Sequence, residues 1–316
     1  FLVGQRDYFD DTTEIDAELQ RYRDIYLALV LDKAKTDYAD KGNFESAMNY
    51  LEGQKAYFED VTAIDEQIVE YKDVNFASEG ATATEYYENQ NFTGAMLELN
   101  RLATKYEGLQ TYDDLRASAE EAYLGYVIPL IDAKISDGNT GAAYAICENA
   151  LGLLPESEVL NSKLESLSDN VPMLLSEITL ASSDYFSRYN NFNSSDYFIR
   201  DVKGNSYVPG NLYVMSISRG WGDEDGYAKL YANKEYATFG GTLAAAEGTE
   251  AGDVIFEVYV DEELVESITF NNESDPVEFS IDIPDSEWIE LKIVYPEDAS
   301  ATPSAKAILS NCYFSK

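Results

Sequence analysis

The hydrophobic positions in the first half of this 316-residue chain follow a helical period, and one pattern of them occurs three times. "GNFESAMNYL" starts at Gly42, "QNFTGAMLEL" at Gln90 and "GNTGAAYAIC" at Gly138, so the copies are 48 residues apart. Apolar residues three and four positions apart mark the buried stripe of a helix. The pattern therefore predicts an array of helical hairpins with a 48-residue period over residues 1–172.

Equivalent positions of the three copies agree in residue type, and this agreement predicts which of them form the core. The matched sets are Ala47, Ala95 and Ala143; Met48, Met96 and Tyr144; and Leu51, Leu99 and Cys147. Cys147 is therefore expected to be a core residue. The Asn that precedes each short helix is expected to cap it; these residues are Asn43, Asn91 and Asn139.

The spacing of these copies also sets the expected helix bounds. Long helices are predicted over 15–41, 62–89 and 111–137, and Pro129 is expected to kink the third. A last short helix is predicted to begin after Ser157.

The turn that opens the first copy resembles a known helical repeat. Gly42-Asn43-Phe44, with Ala47 following, is similar to the turn of tetratricopeptide repeats, although those repeat at about 34 residues. The resemblance implies elongated hairpins of a similar type. Stacked hairpins act as spacers or bind peptides along a concave surface.

The pattern changes to a period of two after Pro172. Apolar and polar residues alternate, which predicts strands with one face buried and the other in water. The clearest alternating runs are 254–261, 279–283 and 289–293. Runs of Asp, Asn, Ser, Glu and Pro separate them as turns. The predicted fold class is therefore multidomain α and β, with helical hairpins over 1–172 and an antiparallel β-sandwich over 175–316.

Composition and charge exclude several classes of function. Lys and Arg number 22 against 59 Asp and Glu, so nucleic acid and anionic membrane surfaces are poor partners. The chain has no His, which excludes Ser–His and Cys–His nucleophilic sites. No run of about 18 apolar residues is present, so no membrane span is expected within the chain. No nucleophile elbow, phosphate-binding loop or zinc-protease motif occurs either, and the chain is not expected to be an enzyme.

Four stretches of the second half occur in an order that resembles a known family. They are Asp201–Val214, Gly226–Ala244, Gly252–Phe270 and Pro276–Tyr295. This order is similar to that of the NPCBM family, carbohydrate-binding modules of bacterial surface proteins. The matching residues are Gly204, Asn205, Tyr207, Tyr231, Lys234, Tyr236, Phe239, Gly241, Thr242, Asp261, Leu291, Lys292 and Ile293.

The resemblance covers 175–316 and implies a galactose-binding-like jelly roll. It also implies export, because such modules are appended to glycosidases and cell-envelope proteins of Gram-positive bacteria. Among the motif residues, Tyr236, Phe239 and Gly241 are interpreted as strand core and close packing, and Asp261 as a hairpin residue. No ligand set is carried over from the family.

Three loops of the predicted sandwich are candidate glycan sites, namely 188–197, 204–211 and 219–227. Sugar sites combine an aromatic face, which contacts C–H groups, with polar side chains around it. Trp221 lies between glycines and is expected to be a better platform than Trp288, which begins a strand and is expected to be half-buried. The candidate ligand-binding residues are Trp221, Tyr227, Arg219, Tyr207, Asn211 and Tyr189. A solvated hairpin tip is the first interpretation of 219–227, and the alternative to a ligand contact by Trp221 is that its ring folds back over the edge of the sandwich.

The same stretch holds three consecutive acids that offer oxygen ligands to calcium. Their spacing is not that of an EF-hand, and a second segment would have to complete the coordination. Asp223 and Asp225 are therefore weak candidates for a structural calcium, and no other cofactor is expected.

The leading hypothesis is a non-catalytic bacterial cell-surface protein. Its sandwich would bind a polysaccharide or other glycan, and its helical repeats would serve as a stalk or a protein-interaction surface. The alternative is a structural or assembly protein of the cell envelope, whose repeats bind a peptide or protein and whose sandwich binds no sugar. The expected location is extracellular or on the cell surface, with anchoring by a segment outside this chain.

Overall fold

The computed structural model describes residues 8, 11–189, 199–219, 224–297 and 302–316. The chain packs as two compact units. The first unit holds Phe1–Thr82 and Leu102–Leu115, and the second holds Ala83–Arg101 and Arg116–Lys316. The change from helix to strand lies at 170–173, and the domain boundary predicted at 172–175 stays a prediction.

Helices occupy the first half of the chain, as the period predicts. Within the described residues they are α1 Thr13–Lys33, α2 Phe44–Gln54, α3 Thr62–Glu79, α4 Ala81–Glu88, α5 Phe92–Tyr106, α6 Gln110–Ser136, α7 Thr140–Leu153 and α8 Glu158–Ser166. A π-helical turn at Ala34–Tyr38 and a 3₁₀ turn at Ala39–Lys41 extend α1. Pro129 lies inside the continuous α6, and its predicted kink stays a prediction.

Most of the repeat positions are buried as predicted, whereas Tyr144, the equivalent of Met48 and Met96, is only half-buried. Ala47, Ala95, Ala143, Leu51, Leu99 and Cys147 have no exposed surface. The caps agree in two copies of three, since the carboxamide oxygens of Asn91 and Asn139 accept hydrogen bonds from Gly94 N and Ala142 N at 3.0 Å. Asn43 flanks α2 without such a bond. The likeness to tetratricopeptide repeats stays a prediction.

The core of the first unit forms where α1, α2 and α3 meet. Small and aliphatic side chains fill it, and Tyr71 closes it with its ring 5.9 Å from that of Phe44. The fully buried members are Val30, Ala34, Ala47, Leu51 and Ile64.

The second half folds as two antiparallel sheets, which confirms the predicted sandwich. The strands are β1 Met173–Leu174, β2 Thr179–Asp184, β3 Phe186–Arg188, β4 Leu212–Ser218, β5 Glu224–Asp225, β6 Tyr227–Tyr231, β7 Thr238–Ala245, β8 Val254–Val260, β9 Glu263–Phe270, β10 Val277–Asp282, β11 Trp288–Val294 and β12 Ala305–Ser315. The first sheet has the order β10-β7-β12-β4-β3, with β1 beside β12 and β5 beside β4. The second sheet has the order β2-β6-β11-β8-β9.

The sandwich core lies between the inner faces of the two sheets. Phe239 stacks on Phe314 with ring centroids 4.6 Å apart, and Phe279 packs against Phe239 at 5.3 Å. Gly241 lies so close to Cys312 that a Cβ there would be 2.4 Å from the Cys312 sulfur. Tyr236 is buried in the same core but lies in the connection before β7. These contacts confirm strand core and close packing for Phe239 and Gly241, and a core position outside a strand for Tyr236.

Helix α7 covers part of the outer face of the first sheet. Tyr313 of β12 is buried there with Ala142 and Ala145 of α7. Its hydroxyl donates to the Asn139 carboxamide oxygen at 2.8 Å, so the residue that caps α7 also binds the sheet. A Cβ at Gly141 would lie 2.5 Å from the Tyr313 ring, which makes glycine necessary at this close approach of helix and sheet.

Both cysteines are expected to resist thiol reagents while the protein is folded. Burial raises the pKa of Cys147 to about 11 and that of Cys312 to about 12, so little thiolate is present near neutral pH. Neither side chain has exposed surface. Ellman's reagent at about pH 8 should therefore label no thiol in the native chain and both after unfolding in guanidinium. Rapid labelling of the native protein would contradict the burial of these thiols.

Candidate functional site

The outward side chains of β6, β8 and β11 form a surface rich in aromatic residues on the second sheet. Period-two alternation sends Ala228, Leu230, Ile289 and Leu291 into the core, where they are buried. The intervening residues face outward, and each of them is half-buried. We call this surface the aromatic face; its members are Tyr227, Lys229, Tyr231, Glu257, Tyr259, Trp288, Glu290 and Lys292.

Strand register arranges the aromatic face in three cross-strand rows. Tyr227 lies opposite Lys292, which lies opposite Glu257. Glu290 lies between Lys229 and Tyr259 in the next row. The third row is Tyr231 opposite Trp288. Side chains in such rows are close enough to interact directly.

The charged groups of the aromatic face pair with its rings and with one another. Lys229 Nζ lies 5.1 Å from the centroid of the Trp288 ring, and Lys292 Nζ lies 4.3 Å from that of Tyr259. Lys292 Nζ also lies 3.1 Å from Glu290 Oε2. These contacts hold long side chains in place before any ligand arrives, which lowers the entropic cost of binding.

Tyr259 keeps its proton on this surface. Its hydroxyl donates to Glu257 Oε2 at 2.7 Å, and this hydrogen bond, with burial, raises the pKa of Tyr259 above its usual value. The residue therefore offers a neutral hydroxyl and an uncharged ring near neutral pH.

Trp288 and Tyr231 form the most defined part of the aromatic face. Their ring centroids are 4.8 Å apart and the rings are tilted by 48°. A small cavity of about 130 Å³ lies beside Trp288, and Lys229, Glu290 and the turn residues Asp261 and Glu262 complete its lining.

A tight turn fixes the backbone of Trp288. Asp261 and Glu262 have φ angles of 47° and 75° in the two-residue connection between β8 and β9, which confirms Asp261 as a hairpin residue. The Asp261 carboxylate accepts a hydrogen bond from Trp288 N at 2.8 Å and from Glu287 N at 3.1 Å. At the start of β11, Trp288 is therefore held through its ring by Tyr231 and through its backbone N–H by Asp261.

This arrangement has the chemistry of a carbohydrate platform. Aromatic rings contact the C–H faces of sugars, and the polar groups around them exchange hydrogen bonds with hydroxyls. Lys229 can donate and Glu290 can accept, and both lie within the cavity lining beside Trp288.

The loop at 204–211, a predicted glycan site, packs on the first sheet instead of on the aromatic face. Tyr207 and Ile199 pack with Leu212, Val214 and Ile308 on the outer side of that sheet. Burial and the neighbouring Asp201 raise the pKa of Tyr207, whose hydroxyl donates to Asp201 Oδ2 at 2.8 Å.

Asn211, at the end of this loop, and Tyr189, whose backbone pairs with it, are the other two predicted residues in this region. Asn211 is 4% exposed and its Nδ2 donates to the Cys312 carbonyl at 2.8 Å. Its Oδ1 has no hydrogen-bond partner among the described residues. Tyr189 has an exposed side chain, and its carbonyl accepts from Gly210 N at 2.8 Å. Their roles in ligand binding stay predictions.

Asp201 organises this loop, and replacing it by alanine is expected to destabilise the chain by about 2–3 kcal/mol. The buried carboxylate accepts hydrogen bonds from Lys203 N, Asn205 N, Asn205 Nδ2 and the Tyr207 hydroxyl, all between 2.8 and 2.9 Å. Alanine would leave these donors without their acceptor. Urea denaturation measures the loss. Asp201→Asn keeps one acceptor oxygen and should cost less, whereas equal stability of Asp201→Ala and the parent would contradict this role.

The predicted residues in 219–227 fall in three different settings. Trp221 and Asp223 lie outside the described residues. Arg219 and Asp225 form an ion pair with N–O distance 2.6 Å, and the Arg219 guanidinium lies 5.0 Å from the Tyr295 ring centroid. Asp225 belongs to β5 and lies opposite Ile217 of the antiparallel β4. Tyr227 belongs to the aromatic face.

The described residues contain no group of three or more His, Cys, Asp or Glu side chains that could hold a metal ion. Asp225 is ion-paired with Arg219. A structural calcium at Asp223 and Asp225 stays a prediction. No helix in the described part of the chain combines the length and apolar character needed to cross a membrane.

Of the residues in the aromatic face, only Tyr227 is a ligand-binding candidate from the sequence; Tyr231 and Trp288, which the structure places opposite each other, are not. Trp288 begins β11 and is half-buried, as expected, and its ring still contributes to the outer surface of the sheet. The available signal was the position of aromatic residues at the polar sites of alternating strands. Tyr227 and Tyr231 occupy such sites on β6, and Trp288 does so on β11.

No family model matches this chain, and no curated protein sequence matches it. Solved structures of carbohydrate-binding modules are similar to part of it. One holds the CBM51-2 and INT domains of Clostridium perfringens ZmpB, at 14% identity over 46% of this chain and 31% of that chain, with a TM-score of 0.34. Another holds the tandem CBM51 modules of the family 98 glycoside hydrolase of Streptococcus pneumoniae, at 15% identity over 46% of each chain, with a TM-score of 0.35.

A third similar structure is the CBM51 of Clostridium perfringens GH95 in complex with methyl-galactose. It matches at 16% identity over 46% of this chain and 99% of that chain, with a TM-score of 0.28. This chain thus spans less than half the length of the first two structures. At these identities and TM-scores the likeness transfers no ligand and no site, and membership of the NPCBM family stays a prediction.

Proposed function

We propose that this chain is a non-catalytic glycan-binding protein whose binding surface is the aromatic face. The observation that carries the proposal is the Trp288–Tyr231 pair, with ring centroids 4.8 Å apart on the outward side of the second sheet. Fixed, half-buried rings bordered by donors and acceptors are what a sugar chain needs from a protein surface.

The shape and charge of the aromatic face favour a neutral polysaccharide. Two cross-strand rows extend over three neighbouring strands and a third over two of them, so that successive sugar units can lie along them. The cavity beside Trp288 holds Asp261, Glu262 and Glu290 against the single positive charge of Lys229. The whole chain carries a net charge of −37, which repels anionic glycans.

We also infer a role for the helical half and a location for the protein. The helical repeats serve as a stalk or as a surface for a protein partner, because stacked hairpins form elongated scaffolds. The protein acts outside the cell or on its surface, held by a segment outside this chain. Presentation of many copies would raise the effective affinity of weak individual sites.

A glycan array tests the proposed function with the full chain. We expect binding to a subset of neutral cell-wall or host glycans, and loss of those signals in Tyr231→Ala. Tyr57→Ala is the matched control, because Tyr57 is a 70%-exposed tyrosine in the first unit, outside the aromatic face. Silence of the full chain across the array would overturn the proposal and favour the envelope-assembly alternative.

A further inference from the structure

A second cavity, of about 410 Å³, lies between helices α6 and α7 and the outer side of the first sheet. All of its lining residues belong to the second compact unit. We call it the helix–sheet cleft. The sandwich core separates it from the aromatic face, because the two surfaces are the outer sides of opposite sheets. Its volume is within the range of small-molecule sites, about 300–1,000 Å³.

Polar groups that the protein leaves unused converge on this cleft. Tyr123 lines it and is 3% exposed, and no described residue forms a hydrogen bond with its hydroxyl. Burial raises the pKa of Tyr123, so the group remains a neutral donor and acceptor. Buried hydroxyls normally have partners, so an unpartnered one that borders a cavity indicates space for a ligand or water.

Two asparagines add both donor and acceptor capacity to the cleft. Asn149 Nδ2 donates to Asn311 Oδ1 at 2.5 Å. Within the described residues, the other side-chain atoms of this pair, Oδ1 of Asn149 and Nδ2 of Asn311, have no further hydrogen-bond partner. Each hydroxyl of a sugar can donate one hydrogen bond and accept others, which this mixture of amide groups can satisfy.

The backbone of Asn311 adopts a left-handed conformation that places this side chain. Its φ angle is 52°, in a region that Asn tolerates better than most non-glycine residues. The residue lies where β12 shifts register between Ser310 and Tyr313, and β-bulges of this kind redirect a side chain.

The remaining walls offer an aromatic surface without a free charge. Tyr126 lines the cleft and is 53% exposed, and Leu130, Ile146 and Pro276 provide apolar contacts. Glu278 is the one carboxylate of the lining, and it forms an ion pair with Lys134 at 2.5 Å. Nothing in the lining therefore selects an ionic ligand.

We propose that the helix–sheet cleft is a second binding site, which takes a neutral saccharide of one or two sugar units. The Tyr126 ring contacts the C–H face of the sugar. Tyr123, Asn149 and Asn311 exchange hydrogen bonds with its hydroxyls. The site needs both halves of the chain, because α6 and α7 supply one wall and the first sheet supplies the other.

Saturation-transfer NMR on the full chain tests this site, in a Trp288→Ala background that disables the aromatic face. The probes are glucose, galactose, N-acetylglucosamine, cellobiose and lactose, each at millimolar concentration. At least one is expected to show transfer, and Tyr126→Ala or Asn149→Leu is expected to weaken its binding by about tenfold. Tyr22→Ala is the matched control, since Tyr22 is 54% exposed on α1.

Tyr123→Phe serves as a control that separates loss of binding from loss of folding, because it removes only the unpartnered hydroxyl. It should weaken binding and leave the melting temperature unchanged. Silence of the Trp288→Ala background across all five probes would overturn the second site. Transfer that survives both Tyr126→Ala and Asn149→Leu would overturn it equally. If the parent chain binds a probe and the Trp288→Ala chain binds none, the aromatic face is the site that binds it and the second site is overturned. The two proposals therefore fail separately.

Discussion

Replacing Trp288 by alanine is expected to weaken glycan binding by about 30-fold or more. The side chain is the largest ring of the aromatic face. Its ring centroid lies 4.8 Å from that of Tyr231 and 5.1 Å from Lys229 Nζ. Its loss removes the main apolar contact for a sugar and also releases the ammonium group that the ring positions. Isothermal titration with a glycan that binds the parent chain measures the change.

Trp288→Phe is the matched control, because it keeps an aromatic ring at the same register position. We expect it to retain binding within about tenfold of the parent, since truncation rather than ring exchange removes the contact. Melting curves of both variants should stay close to that of the parent because Trp288 is half-buried at the surface. An affinity of Trp288→Ala equal to that of the parent would contradict the proposed surface.

Replacing Tyr313 by alanine is expected to lower the free energy of unfolding by about 3–5 kcal/mol. The ring is 2% exposed and lies against Gly141 of α7 and Gly240 of β7. Both glycines leave room for a tyrosine, so alanine would leave a cavity that the surrounding backbone cannot easily fill. Denaturant unfolding followed by circular dichroism measures the loss.

Tyr313→Phe separates the packing of this ring from its hydrogen bond. The hydroxyl donates to Asn139 at 2.8 Å, and its removal should cost only about 1 kcal/mol. Equal losses in the two variants would show that the hydrogen bond, and not the ring, joins α7 to the sheet. Unchanged stability of Tyr313→Ala would contradict the described packing altogether.

The helical repeat could be predicted from the sequence because its core positions recur at a fixed spacing. Ala47, Ala95 and Ala143 are all fully buried, and the short helices begin within one residue of Asn43, Asn91 and Asn139. Helix periodicity depends on residues that are close together in the chain, so it can be recognised in a single sequence. The strands of the sandwich could be predicted for the same reason, since alternation requires only neighbouring residues.

The aromatic face could not be predicted with the same ease, because it depends on which strands pair. Tyr231 and Trp288 are far apart in the chain and become neighbours only through the register of β6 and β11. The sequence interpretation favoured Trp221, since glycines beside a tryptophan indicate an exposed loop. That residue lies outside the described residues, so its role stays a prediction.

The contact between α7 and the first sheet was also absent from the sequence interpretation. It rests on shape, namely the space that Gly141 and Gly240 leave for Tyr313. Glycine at a helix start and in a strand has several ordinary explanations, and only the fold shows which one applies. The same contact indicates that binding experiments should use the full chain and not an isolated 175–316 fragment.

Binding of glycans at Trp288 is tested most directly by tryptophan fluorescence. The chain has two tryptophans, so Trp221→Phe leaves Trp288 as the single emitter. A glycan that binds this variant by calorimetry is then titrated into it. We expect a saturable change in Trp288 emission with the same dissociation constant. Unchanged emission while calorimetry shows saturation would place the glycan elsewhere and contradict the claim.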